Sequence, residues 1–295
     1  MRTERVPVAD GVELAVDRWP ADGAGRSDGA TTTPFLLVHG LASNARLWDG
    51  VAEALAGLGH EAFTVDLRGH GRSSKPDGGY DVATVADDLA ALIERMGIDR
   101  PIAAGQSWGG NVVLELAARH PAIMGRPSVV RGIALVDGGW IELADGFPDL
   151  ADCLTALAPP RLEGRPLSEV AGWIHSAHAD WPDAGVRGTL ANFEVRPDGT
   201  IAPWLTFDRH MLVLTGLWEH HPTTRYASST VPVLLIPAAG SDGRADAKRR
   251  AVEAAEATIP HARTRWLSGD HDLHAQHPVE VAEMLHEMVA DGFAP

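Results

Sequence analysis

Gly105-Gln106-Ser107-Trp108-Gly109-Gly110 is the stretch of this chain whose residue types and spacing point most directly to chemistry. Glycines two places before and two places after the serine permit a turn too sharp for side chains on either flank. A short apolar run (102–104) precedes the turn and a helical pattern (109–119) follows it, so the serine stands where a strand becomes a helix. That corner lifts its hydroxyl above a sheet edge and sets it at a helix N-terminus, where a developing anion is favoured. Composition alone predicts about 0.1 occurrences of Gly-x-Ser-x-Gly in a chain of this length. Placement, more than the motif, therefore makes Ser107 a candidate nucleophile.

A serine hydroxyl needs a base at neutral pH. Of the 14 histidines, His271 lies in the Gly/Asp-rich loop Gly269-Asp270-His271-Asp272, after the final apolar run, where it can overhang the sheet edge toward Ser107. His274 and His277 compete with it. Their spacing of three residues would suit a metal, but the loop-to-helix setting and the lack of nearby thiolates argue against one. Both read as helix-entry residues, His274 lining the pocket. No metal or other cofactor is expected.

The elements that must position these groups follow one rhythm. Apolar runs at 35–38, 62–65, 102–104 and 129–136 alternate with helical spacing through Leu47, Val51 and Leu55, then over 82–96 and 109–119. Gly97 closes the second helix as a C-cap. The rhythm resumes with strands at 231–236 and 263–267 and helices at 245–257 and 279–288. Continuous apolar strands between amphipathic helices predict an α/β fold with a doubly wound, mostly parallel sheet covered on both faces. A hairpin around Asp10-Gly11 (6–16) precedes it, and 20–34 reads as an exposed, mobile loop. Residues 138–230 break the rhythm. They hold Trp140, Trp173, Trp181, Trp204 and Trp218 and a second hairpin, 193–201, around Asp198-Gly199. So much aromatic surface predicts an inserted subdomain, 138–230, on a core of 1–137 and 231–295.

Forty acidic against 25 basic residues give a formal charge of −15, which disfavours nucleic acid and anionic membranes as partners. Only two of the basic residues, Lys75 and Lys248, are lysines, a bias that reads as GC-rich coding. The single Cys153 excludes an intrachain disulfide. Met1-Arg2-Thr3-Glu4-Arg5 leads into no apolar stretch, and no run approaches the ~18 residues of a membrane span. A cytoplasmic protein acting on a small molecule is expected, its oligomeric state open.

The chain resembles the α/β-hydrolase superfamily. His39-Gly40-Leu41 looks like its oxyanion loop, the stretch Asp66 to Ser73 (DLRGHGRS) like its loop after the next strand, and Ser107 sits in its nucleophile elbow. Gly269 to Pro278 resembles its histidine segment. The resemblance implies a Ser-His-acid triad of Ser107 and His271. The acid is Asp242, one place later than usual in the loop after the seventh strand, or Asp137 at the end of the sixth. It implies an oxyanion hole of the Leu41 and Trp108 backbone N–H groups. His39, Trp140 and His274 are candidate substrate contacts, although His39 reads more often as a structural hydrogen-bonder in such loops, and the resemblance makes 138–230 a mainly helical cap over the active site. The expected reaction is hydrolysis of an ester, lactone or related acyl bond of an apolar or aromatic substrate. Dehalogenases and epoxide hydrolases of this fold carry aspartate at the elbow and are disfavoured. A lyase, acyltransferase or cyclase of the same fold, or a non-catalytic binder, remains open.

Overall fold

Asp10-Gly11 turns the chain where its sequence predicts, with Gly11 at φ 72°, and joins β1 (Arg2–Ala9) to β2 (Val12–Trp19). This computed structural model describes residues 2–22, 33–123, 125–240 and 245–294. Most of the loop expected at 20–34 lies outside the described residues.

β3 (Phe35–Val38), β4 (Ala62–Asp66), β5 (Ile102–Gln106) and β6 (Gly132–Val136) follow in the core. β7 (Phe193–Val195) and β8 (Ile201–Pro203) form a separate hairpin, and β9 (Val233–Ile236) and β10 (Ala262–Thr264) return to the core. The main sheet has eight strands in the order β1-β2-β4-β3-β5-β6-β9-β10. β1 and β2 are antiparallel and the rest run parallel from β4 onward.

The strands alternate their side chains between two apolar layers, as a sheet covered on both faces requires. Leu36, Val38, Ile133 and Leu135 face one layer, and Phe35, Leu37, Ala134 and Val136 the other. α2 (Val82–Met96) and α3 (Trp108–Arg119) close the first, with α9 (Ala245–Thr258) beside them. α1 (Asp49–Gly57) and α11 (Pro278–Ala290) close the second. Asp81 caps α2 by accepting from the Thr84 N–H at 2.8 Å, and Gly97 ends it at φ 64°.

β3 lies between β4 and β5, so the chain leaves its carboxyl end toward one neighbour and later returns to the other. Loops diverge there and leave the crevice where ligands bind in sheets of this kind. Between β6 and β9 the chain forms α4 (Leu143–Gly146), α5 (Leu150–Ala156), α6 (Leu167–Ala177), α7 (Asp183–Leu190), the β7–β8 hairpin and α8 (Phe207–Glu219). Glycine lets this segment approach closely. A Cβ at Gly188 of α7 would stand 2.8 Å from the Arg46 carbonyl, and one at Gly216 of α8 would stand 2.5 Å from that of Tyr80.

Candidate active site

Ser107 ends β5 and starts α3 with φ 53° and ψ −123°, a conformation L-residues rarely adopt and one that turns the chain sharply. Its flanks show why glycine is required. A side chain at Gly105 would overlap the Gly109 carbonyl, and a Cβ at Gly109 would stand 2.5 Å from that of His39. The Ser107 N–H donates to the Val136 carbonyl at 3.0 Å, and its own carbonyl accepts from Gly110 N–H at 2.9 Å. The serine is thereby tied to the end of β6.

That strand end delivers Asp137, itself at φ 41°. His271 Nδ1–H donates to Asp137 Oδ2 at 2.7 Å. Lys248 of α9 donates to the same oxygen at 2.9 Å, and Ala238 N–H donates to Oδ1 at 3.0 Å. Burial pushes the Asp137 pKa up. The hydrogen bond and charge of His271, the Lys248 ammonium and the Ala238 N–H outweigh burial and hold it below the ordinary carboxylate value. Burial also disfavours charge on His271, but its bond to Asp137 and the Asp272 and Asp137 charges raise its pKa above the usual imidazole value. Its side chain stays 53% exposed.

Of the two aspartates the sequence leaves open, Asp137 is the one paired with His271; Asp242 lies outside the described residues. Two neighbouring contacts bring His271 and Ser107 together. Gln106, adjacent to Ser107, donates from Nε2 to the His271 carbonyl at 3.1 Å. Gly138, adjacent to Asp137, packs so tightly on Ser107 that a side chain there would overlap the serine carbonyl.

The loop after β3 completes this edge. A Cβ at Gly40 would stand 3.1 Å from Ser107 Cβ, so Leu41 follows directly beside the serine. Neither the Leu41 nor the Trp108 backbone N–H has a backbone partner among the described residues. The Trp108 indole points inward, fully buried against His70 with ring centroids 5.5 Å apart, and offers a ligand only its backbone.

Two expected pocket residues belong instead to the interior. His39 is fully buried; its Nδ1–H donates to the Gly40 carbonyl at 2.7 Å and its Nε2 accepts from Leu67 N–H at 3.0 Å. Burial lowers its pKa, so it stays neutral and shapes the loop. His274, in α10 (Leu273–Gln276), is fully buried 4.4 Å from the Trp48 ring, and burial drives its pKa to about 3. Trp140 is 8% exposed and packs with Trp108 in the layer under α3.

The tryptophans of 138–230 divide similarly. Trp181 packs with Leu47, Val186 and Ala275, and Trp204 stands 5.1 Å from Lys75 Nζ. Trp173 is exposed beside Arg165. Polar contacts tie the segment to the site loops. Asn44 donates to the Gly188 carbonyl at 2.9 Å, and Gln276 donates to Asp180 at 2.6 Å while accepting from Asp270 N–H. Asn111 of α3 donates to the Ile141 carbonyl and accepts from Gly139 N–H, both at 3.0 Å. Sequence reasoning missed Gln106, Asn111 and Lys248. No sequence signal pointed to Lys248, which belongs to no motif.

No group of three or more His, Cys, Asp or Glu that could hold a metal occurs among the described residues, and none of their helices is long and apolar enough to cross a membrane. A cavity of about 490 Å³ lies at the opposite, amino end of the strands, lined by Glu4, Arg18, Glu61, Arg95 and Arg131 among others.

A strand–serine–helix elbow, a histidine–aspartate pair and the Gly40-Leu41 loop meet on one edge of an eight-stranded, mostly parallel sheet. The family model described as alpha/beta hydrolase fold matches residues 33–278, and the chain belongs to that family. Curated relatives include a non-heme haloperoxidase of Rhodococcus erythropolis, 30% identical over 48% of this chain and 52% of that protein. A soluble epoxide hydrolase of Corynebacterium sp. (strain C12) is 36% identical over 39% of this chain and 38% of that one. The chain spans about half or less of the length of the curated relatives it matches. Among solved structures, E-2-(acetamidomethylene)succinate hydrolase superposes with a TM-score of 0.78 at 21% identity, covering 98% of this chain and 99% of that one. A thioesterase domain from the curacin biosynthetic pathway gives 0.71 at 19% identity, covering 97% and 99%. These likenesses establish the fold.

Proposed function

We propose that this protein is a serine hydrolase that cleaves a carboxylic ester, lactone or related acyl bond of a small molecule through an acyl-enzyme. The observation that carries the reading is the joining of the Ser107 elbow to the His271–Asp137 pair by direct contacts of Gln106 and Gly138. Asp137 accepts the hydrogen bond of His271 Nδ1–H, which fixes the tautomer and leaves Nε2 as the free base. Nε2 removes the Ser107 proton as the hydroxyl oxygen attacks the carbonyl. The resulting oxyanion lies against the Leu41 and Trp108 N–H groups at the start of α3, each such donor contributing roughly 3 kcal/mol in comparable sites. His271 then protonates the leaving alcohol. Water, deprotonated by the same nitrogen, releases the acid and regenerates Ser107.

Residues 138–230 serve as the cap over this edge in the proposal. Half-buried Leu41, Ile141 and Leu143, with Trp140 behind them, supply apolar surface for an acyl or alcohol group. The epoxide hydrolase relative does not transfer its chemistry readily, because the elbow holds a hydroxyl instead of the carboxylate that opens an epoxide. The haloperoxidase relatives make hydrogen peroxide a sensible alternative to water in the second step. A chain-length and aryl series of p-nitrophenyl esters, run beside lactones and thioesters, tests the reading. Ser107→Ala should abolish turnover and fluorophosphonate labelling in a folded protein; full activity in that variant would refute it.

A further inference from the structure

We propose that Lys248 is a positioning residue for the active site: its ammonium shares with His271 one carboxylate oxygen of Asp137 and thereby limits how strongly His271 holds a proton. The inference rests on the serine-hydrolase reading for its functional meaning, but its physical content does not require turnover.

Asp137 stands at the carboxyl end of β6, yet its remaining donors come from a different part of the chain. Ala238 N–H, just after β9, donates to Oδ1 at 3.0 Å, and Lys248 of α9 donates to Oδ2 at 2.9 Å. Lys248 also reaches the Ala238 carbonyl at 3.3 Å, so one ammonium binds the β9 loop and the carboxylate together. His271 meets Oδ2 at 2.7 Å. A carboxylate with every partner in place is fixed in direction, and it remains ionised because both cationic partners favour the charge.

The ammonium acts oppositely on His271. Two donors at 2.7 and 2.9 Å from one oxygen stand no more than about 5.6 Å apart, so an imidazolium at His271 faces a second positive charge on the same acceptor. Among the described residues, the other charges that act on His271 come from a few elements. Asp272 on its own loop and Asp137 from β6 favour the imidazolium, while Lys248 from α9 opposes it. His274 from α10 and His39 from the β3 loop are buried and held neutral. His178, after α6, faces Asp272. The two carboxylates, Asp272 and Asp137, favour the protonated base. Lys248 is the cation that offsets them, and it keeps His271 available at lower pH.

A lysine presents a compact point charge on a flexible stem, suited to sharing one oxygen with a histidine.

The test is an NMR titration of 15N-histidine-labelled protein, with the His271 signals assigned by their loss in His271→Gln, in wild type, Lys248→Met and Lys248→Arg. Even at water-like screening, removing a charge at this distance should raise the His271 midpoint by at least about 0.5 unit in Lys248→Met. Lys248→Arg should keep the wild-type midpoint. The acid limb of kcat/KM should move upward with the midpoint; a merely structural lysine would lower kcat/KM at every pH and leave the limb in place. Lys248→Gln replaces Lys248→Met if the latter does not fold. An unchanged His271 midpoint in the neutral variant overturns the inference. Because the titration needs no substrate, failure of the acyl-transfer reading (turnover persisting in Ser107→Ala) is a separate outcome.

Discussion

Asp137→Asn should disable the enzyme by forcing the wrong histidine tautomer, and the structure says how. Asp137 Oδ1 accepts from the Ala238 N–H, so the asparagine keeps its carbonyl oxygen there and turns its NH2 toward the former Oδ2 position. That NH2 then faces two donors, His271 Nδ1–H and the Lys248 ammonium. His271 answers by moving its proton to Nε2, so that Nδ1 can accept. The nitrogen meant to deprotonate Ser107 becomes a donor, and the base is lost. The lysine has no such remedy and must turn away from the site.

The expected loss in kcat/KM is about 10⁴-fold, the size produced when a triad aspartate is replaced by its amide, or about 5 kcal/mol of transition-state stabilisation. Folding should survive, since Asp137 stands at φ 41° and asparagine is among the side chains that best tolerate that region. The assay is hydrolysis of an activated aryl ester beside circular dichroism, with Asp242→Asn in parallel. Retention of activity within tenfold in Asp137→Asn, with collapse in Asp242→Asn, would refute the assignment of the acid.

Two further perturbations follow. Gly138→Ala puts a methyl group into the Ser107 carbonyl, so it should destabilise the fold by about 1–3 kcal/mol in denaturant unfolding and misplace the nucleophile, with fluorophosphonate labelling slowed; wild-type stability and labelling would show the contact to be soft. His274, buried with its pKa lowered to about 3, makes the native state bind fewer protons than the unfolded chain below pH 6.5, so its share of stability is intact above that pH and drains away as pH falls toward 3. Between pH 7 and pH 5 the wild type should lose about 2 kcal/mol more than His274→Met, and equal losses in urea melts would contradict the buried, neutral assignment.

The parts legible in the sequence are those whose cause is local. Ser107 could be found because glycine spacing, a strand before and a helix after all act within a dozen residues. Asp10-Gly11 and Gly97 announced a hairpin and a helix end for the same reason. The acid could not be chosen that way. β6 and β9 are neighbours in the sheet, with Val136 paired to Ile236, so the sequence offers an aspartate after each of two adjacent strand ends. Only side-chain geometry shows that the β6 end turns its carboxylate to His271 while the β9 loop contributes a backbone donor. Lys248 is 111 residues from Asp137 along the chain and carries no motif. His39 and His274 failed as pocket residues because a histidine near a catalytic loop can face either side of it, and burial is decided by what packs there: Leu67 N–H for one, Trp48 for the other. The tryptophans suggested a substrate surface from number alone, yet Trp140 and Trp181 are covered by neighbouring side chains. The specificity of such a site must then reside less in the buried aromatics than in the half-exposed side chains beside Ser107, Leu41 foremost, because only a group that changes its solvation when substrate enters can distinguish one acyl chain from another.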